Sequence, residues 1–306
     1  FVNLEPCSHH GRTPPCAEAL IEAGVARVVV AIEDPSLHAA GSGIARLRER
    51  GIGVGVGLLE DRAAHLNEVF LHSVRCGRPF VLLKAAMSLD GKLSTITGQS
   101  QWITSEQSRR SSLELREEYD SILVGAGTVA ADNPRLTRRQ GLNTAVAGWT
   151  RIVLDGRATL EAGAEVLTDG DPTLLYTARA EFWKERRQSA EVVSIHSNEG
   201  RVDLDEVLED LARRGVRSVI VEGGSAVLSE FIVRQLWQKM ILFVAPIFAG
   251  GSSENAIFSS APLKRLEDAL RFRFVESKPA GPDLMITAYP GSSGVDERNS
   301  EPRRLG

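Results

Sequence analysis

Val219-Ile220-Val221-Glu222-Gly223-Gly224-Ser225-Ala226-Val227-Leu228 puts a buried strand, a two-glycine turn and a helix start into ten residues. That is a place to hold a phosphate. Gly223 and Gly224 permit positive φ and close backbone approach, and the free amides of the following helix point out of its N-terminus. An anion there gains hydrogen bonds and the positive end of the helix dipole. An ordinary strand-to-helix turn of an α/β domain has the same pattern, so these residues alone leave both readings open.

A second stretch, Pro6-Cys7-Ser8-His9-His10-Gly11-Arg12-Thr13-Pro14-Pro15-Cys16, sets two thiols around a loop of polar and turn residues, with Cys16 at a helix start. A helix N-terminus lowers a thiol pKa, and the thiolate is the form that zinc binds. A catalytic zinc takes three protein ligands and one open position, and base-deaminating zinc sites add a separate Glu to move protons. No His-x-Glu precedes Cys7 in this sequence. His9 or His10 could serve as a third ligand only by folding back in a tight loop, and two unrelated cysteines are the plainer alternative.

The elements that must position these residues alternate. Helical pattern covers 17–23, 41–51 and 60–74, and strand pattern 26–32 and 52–58. Arg75-Cys76-Gly77-Arg78-Pro79 breaks that rhythm, which gives a first domain over 1–76 and a second over about 78–290. The second domain opens with a strand at Phe80 to Ala86. Further strands are predicted near 121–126, 151–155, 173–177, 191–195, 217–221, 239–245 and 283–289. Its helices are predicted at 105–118, where Thr104 and Gln107 have capping-box spacing, at 204–214 and at 225–236. Residues 291–306 carry little apolar content and are expected to be a disordered tail.

A chain of 306 residues with a net charge of −4 offers no overall electrostatic footprint for nucleic acid or an anionic membrane, so any basic site must be local. No apolar run approaches the roughly 20 residues that span a bilayer. A cytoplasmic enzyme with a small-molecule substrate is the expectation. Cys7, Cys16 and Cys76 are too few and too uneven for a disulfide framework. The chain begins at Phe1, inside what reads as a strand, so a fragment lacking its N-terminal part is expected.

Leu4 to Cys16 resembles the zinc-loop segment of the deaminase domain in the RibD family. These bifunctional riboflavin-biosynthesis proteins join a diaminohydroxyphosphoribosylaminopyrimidine deaminase to a 5-amino-6-(5-phosphoribosylamino)uracil reductase. In that family two cysteines join a histidine from an upstream His-x-Glu to hold zinc. By that resemblance Cys7 and Cys16 are part of an incomplete zinc site, and zinc binding and deamination are expected of a full-length parent only. Residues 78–290 are similar to the family's reductase domain. The implied architecture is α/β: a dihydrofolate-reductase-like domain preceded by the C-terminal part of a cytidine-deaminase-like domain.

The resemblance implies reduction of the substrate's ribosyl group to a ribityl group with NADPH. It places the cofactor at Ala86, Trp102, Thr128, Asp132, Gly156 and Gly224, Ser225, Ala226, Val227, Leu228, Ser229 and Glu230. The substrate falls to Ser100, Arg116, Leu136, Arg139 and Glu222. Arg116, Arg138 and Arg139 are the basic cluster that a substrate phosphate needs, since a guanidinium fork pairs phosphate bidentately. Lys84 and Asp132 are assigned to acid/base and electrostatic work at the anomeric centre. Blander roles are open to each: Lys84 as the ion-pair partner of Asp90 or Asp132, Asp132 as the start of an Asp-Asn-Pro turn, Arg116 on a solvated helix face, Glu222 as a turn cap and Trp102 in the core. In Ile152-Val153-Leu154-Asp155-Gly156-Arg157, Gly156 stands where the family can have a cofactor-contacting serine, and Arg157 could answer the adenosine-side phosphate instead. The preference for NADPH is therefore inherited from the resemblance. A reductase of another pteridine-like or ribosyl substrate and a non-enzymatic nucleotide module are the competing readings. A homo-oligomer is expected, with Trp237, Met240 and Ile241 to Val244 serving either a dimer face or the core.

Overall fold

The computed structural model describes residues 1–11, 13–36, 39–138, 149–186, 188–251, 255–259 and 264–291. Arg139 and nearly all of the expected tail lie outside the described residues. The chain divides into two compact units, Phe1–Pro79 and Phe80–Gly306.

In the first unit, β1 (Arg27–Val30) pairs in parallel with β2 (Gly53–Val56), and Val2 adds a single parallel bridge to Val30. Around them lie α1 (Cys16–Glu22), α2 (Ser42–Glu49), α3 (Glu60–Leu66) and α4 (Glu68–Cys76). The single helix expected over 60–74 is two, broken at Asn67, whose side chain donates back to the Ala63 carbonyl at 2.8 Å. Glu5 is buried, and its carboxylate accepts from the amides of Asp34, Gly41, Gly43 and Ile44 at 2.9–3.1 Å. It thereby caps the N-terminus of α2, which has no cap from its own residues.

The second unit is built on a nine-stranded sheet. Its strands are β3 (Phe80–Ser88), β4 (Ser121–Gly125), β5 (Thr150–Leu154), β6 (Thr173–Thr177), β7 (Glu191–Ser194), β10 (Ser218–Val221), β11 (Lys239–Ala245), β12 (Phe272–Ala280) and β13 (Asp283–Pro290). The order is β12-β13-β11-β3-β10-β4-β5-β6-β7; β13 runs antiparallel to both of its neighbours, β11 and β12, and every other neighbouring pair is parallel. Parallel strands need both faces covered, which is why they read as continuous apolar runs. In β4, Leu123 enters one core cluster with α9 (Leu204–Arg213) and α10 (Ser225–Val233), while Ile122 and Val124 enter the other with Val166 of α7 (Glu165–Thr168) and Trp183 of α8 (Ala180–Trp183). Trp237, Met240 and Ile241 to Val244 are buried, so the core reading holds for them and the dimer-face reading does not.

Several elements have no counterpart in the sequence pattern, the longest being the edge strand β12 (Phe272–Ala280). Helix α6 (Ala126–Asp132) follows β4 directly, and a hairpin of β8 (Ser197–Asn198) and β9 (Arg201–Val202) turns through Glu199 and Gly200, both at positive φ. Helix α5 (Glu106–Glu118) starts one residue later than the capping-box spacing implied. Ser105 is its cap, accepting from the Ser108 amide at 3.3 Å, because Asp283 fixes the Ser105 amide at 2.7 Å. Among the described residues no helix is long and apolar enough to cross a membrane.

Candidate active site

Because β3, β10 and β4 are adjacent and parallel, their C-terminal ends bring three chain segments to one sheet edge, where α/β sheets bind ligands. These segments are Lys84 to Ser88, Glu222 to Ser225 and Gly125 to Thr128. Glycine is what lets two of them close on each other. A Cβ on Gly223 would lie 2.8 Å from Val124 Cα, and one on Gly125 would lie 2.7 Å from Val227 Cγ2. Gly224 caps α10 at φ +33°, and a Cβ there would stand 3.4 Å from Thr128 Oγ1.

The α10 N-terminus has the donor set that an anion takes. Among the described residues no side chain caps it and the buried Ser225 hydroxyl oxygen has no hydrogen-bond partner, and its first amides have no intrahelical acceptor. Of the other residues assigned to the cofactor here, Ala226 is exposed and Val227 packs on Gly125. Leu228 lies in the core, Ser229 accepts from the Ser259 amide at 2.7 Å, and Glu230 pairs with Arg201 at 3.1 Å.

Beside this turn lies a charged cluster spread over three elements. The Arg116 guanidinium, on α5, donates to Glu222 through Nε at 3.1 Å and Nη2 at 2.8 Å, and through Nη1 to the Thr137 carbonyl at 3.0 Å. Lys84, on β3, places Nζ 3.9 Å from the same carboxylate. The Lys84, Arg116 and Glu222 side chains are only 16%, 13% and 11% exposed. Burial alone would raise the Glu222 carboxyl, but Lys84 and then Arg116 outweigh it and hold it at about 2. For Lys84, burial lowers the ammonium pKa, Glu222 raises it and Arg116 lowers it, with a net fall. Arg116 is thus no solvated helix residue, and Glu222 is the counter-ion of two cations.

Other expected residues take different positions. Asp132 ends α6 and is exposed, accepting from Ser100 Oγ at 3.3 Å, whereas the ion pair of Lys84 is with Glu222. Trp102 is 69% exposed, with the Arg109 guanidinium 4.4 Å from its ring centroid, so it is not core. Ala86 lies on β3 opposite Phe243. Leu136 has positive φ and a buried side chain, and its carbonyl accepts from Trp149 Nε1 at 3.0 Å. Arg138 is not open for a phosphate: it donates to the carbonyls of Arg116 and Tyr119 at the end of α5 and stacks on Trp149. Gly156 faces the Gly200 carbonyl, which a Cβ would approach to 2.4 Å, so a serine cannot stand there without moving the hairpin.

Asp90 was missed. It accepts from Ser88 Oγ at 2.6 Å and from the amides of Ala249 and Gly250 at 3.0 and 2.8 Å, pinning the loop after β11 beside the end of β3. Those bonds hold its carboxyl at about 2. The spacing Ser88-x-Asp90-Gly91 was the available signal, a side chain positioned to accept within a turn.

In the first unit, the Cys16 amide donates to Cys7 Sγ at 3.3 Å, so the loop does bring the cysteines together. The Cys16 thiol is nevertheless raised, first by its hydrogen bond to Cys7 and then by burial, and not lowered by the helix end as the sequence suggested. Among the described residues no group of three His, Cys, Asp or Glu could hold a metal. The donor set is short of a catalytic zinc site, and no chemistry is derived through zinc.

Comparison with known proteins covers both units. The RibD C-terminal domain family matches residues 79–286. A riboflavin biosynthesis protein RibD from Bacillus amyloliquefaciens is 44% identical over 97% of this chain and 81% of its own length. The chain belongs to the RibD family. The solved structure of Acinetobacter baumannii RibD superimposes with a TM-score of 0.81 at 34% identity, over 94% of this chain and 79% of that one. A Thermotoga maritima protein named as a diaminohydroxyphosphoribosylaminopyrimidine deaminase/5-amino-6-(5-phosphoribosylamino)uracil reductase does so at 0.81 and 33%, over 94% and 78%. As a RibD protein the chain is an enzyme of riboflavin biosynthesis with a reductase domain, and a RibD reductase works with a nicotinamide cofactor.

Proposed function

We propose that the second unit reduces the ribosyl group of 5-amino-6-(5-phosphoribosylamino)uracil to a ribityl group with NADPH. The observation that carries this reading is a shielded cluster of Lys84, Arg116 and Glu222 beside an uncapped, glycine-flanked helix N-terminus. The α10 amides and Ser225 would hold the pyrophosphate, with Thr128 beside Gly224 and with Ala86 and Trp102 bordering the nicotinamide. When bound, the reduced nicotinamide supplies hydride to the sugar's C1′.

Lys84 Nζ holds the proton that this reduction needs. Given to the ring oxygen, that proton lets the C1′–O bond break while the nitrogen lone pair forms C1′=N as an iminium ion. Hydride at C1′ then leaves a neutral ribityl amine, so one proton and one hydride complete the balance. Burial makes Lys84 a readier acid than an exposed lysine, and Glu222 keeps it charged until it is used. Arg116, with Arg139, would take the substrate phosphate, trading part of its bond to Glu222. Ser100 and Asp132 would orient the sugar hydroxyls, and the Leu136 backbone would border the substrate.

This reading makes the chain a cytoplasmic enzyme with a small phosphorylated substrate and without nucleic-acid or membrane partners. Exposed apolar residues along β12, among them Phe272, Phe274 and Val275, support a homo-oligomer, which light scattering would size. The test is to mix the chain with NADPH and 5-amino-6-(5-phosphoribosylamino)uracil and follow loss of reduced-nicotinamide absorbance. Oxidation that requires the substrate is expected; tight NADPH binding with no turnover overturns the substrate assignment.

A further inference from the structure

The chain between β3 and α5, residues 89–104, spans the sheet edge where the site lies. It leaves the end of β3, and the Ser100 hydroxyl donates to Asp132 at 3.3 Å, at the end of the helix that follows β4. β10 and its Gly223-Gly224 turn lie between those two strands, so a nicotinamide beside Lys84 has this loop as its neighbour. Two residues after Ser100 comes Trp102, 69% exposed. An indole that open adds little to the core, and on a loop it has several rotamers to choose from unless something holds it.

Arg109 holds it. The guanidinium carbon lies 4.4 Å from the Trp102 ring centroid, and Nη1 donates to the Thr104 carbonyl at 2.7 Å, so one side chain fixes both the ring and the end of the loop that carries it. A planar guanidinium can stack on an indole face while its edge still donates, which a compact ammonium cannot do. Arg109 is itself placed by a rigid element. It stands near the start of α5, seven positions before Arg116, whose guanidinium binds Glu222. Seven positions are close to two turns, so both arginines project from one face of the helix, about 10 Å apart along its axis. The helix therefore sets the separation between the Trp102 ring and the Lys84, Arg116 and Glu222 cluster. The cation takes one face of the indole, and a flat nicotinamide ring would take the other.

Resting on the reductase reading, we propose that Arg109 is a positioning residue of the cofactor site: stacked behind Trp102, it fixes the indole as one wall of the nicotinamide pocket and so contributes to nicotinamide binding without touching the cofactor. The ring is thereby held before the cofactor arrives, and binding does not have to order it.

Titration calorimetry on the full chain with NADPH, and with 2′,5′-ADP, which keeps the adenosine half and lacks the nicotinamide, tests this without turnover. Arg109→Met, which keeps an apolar stem and removes the cation, should weaken NADPH about two- to fivefold, the scale of an exposed cation–π contact, and leave 2′,5′-ADP unchanged. Trp102→Leu should show the same selectivity. The double variant should bind NADPH no more weakly than Trp102→Leu alone, because Arg109 acts through the ring. Losses that fall equally on the two nucleotides, additive losses in the double variant, or NADPH binding unchanged by Arg109→Met overturns the proposal. Turnover by the wild type alongside unchanged NADPH binding in Arg109→Met refutes the positioning role and leaves the reductase reading standing. The expected selective losses in a chain that does not turn over the uracil substrate support the positioning role and refute the substrate.

Discussion

Glu222→Gln keeps the shape of the side chain and removes the charge that Arg116 and Lys84 share. The folded carboxyl sits at about 2 against an ordinary 4.5, in spite of its burial. That gap corresponds to roughly 3 kcal/mol of preferential interaction with the ionised form. A domain of this size loses about 2–4 °C per kcal/mol, so melting of the larger unit should fall by roughly 6–12 °C at pH 7. A carboxyl whose folded pKa is depressed contributes stability that is fully present above its unfolded value, about 4.5, and is lost as pH falls toward about 2. The difference between wild type and variant should therefore be full at neutral pH and shrink steadily in acid. Melting followed by circular dichroism on both proteins from neutral to acid pH measures it. A difference that persists undiminished in acid, or one below about 2 °C at pH 7, would refute the charge argument. The variant also leaves Lys84 with burial and Arg116 and without its counter-ion, so the ammonium deprotonates more readily. The alkaline limb of the turnover profile should then move to lower pH.

Gly223→Ala would set a methyl 2.8 Å from Val124 Cα, a backbone atom that cannot turn aside, and should cost about 1–3 kcal/mol in urea unfolding and weaken nucleotide binding. Unchanged unfolding would mean that the two turns do not meet so closely. Asp90→Asn should speed hydrogen exchange at Ala249 and Gly250. Because the wild-type carboxyl is held at about 2 against an ordinary 3.8, its anchoring should persist in mild acid and fade only toward pH 2, and equal exchange in both proteins would count against the anchor. Glu5→Ala orphans four amides, each worth about 1–3 kcal/mol when buried, and should abolish exchange protection at Gly43 and Ile44. Retained protection there would remove Glu5 as the cap of α2.

What the sequence determined by itself is local. The apolar runs of β3, β4, β5, β6 and β10 announce strands buried on both faces, because composition and length over four to nine residues suffice for that. Gly223-Gly224 followed by an apolar helix is likewise legible, since a tight turn and an open helix end depend on adjacent residues only. The zinc-loop cysteines meet because nine positions of turn-rich chain bring them back together.

What only the tertiary structure decided is partnership across the sheet. Glu222 and Arg116 are 106 positions apart, and their pairing follows from β10 lying between β3 and β4, an order that no local pattern encodes. The same order gives Lys84 to Glu222 and leaves Asp132 with Ser100. Arg138 looked like a phosphate ligand because a guanidinium is visible in sequence, while the carbonyls it caps belong to the end of a helix some twenty positions earlier. Gly156 reads as a missing serine until the hairpin tip arrives over it from Gly200. Charges and glycines state what a position can do; strand order and close approach decide which of those capacities is used.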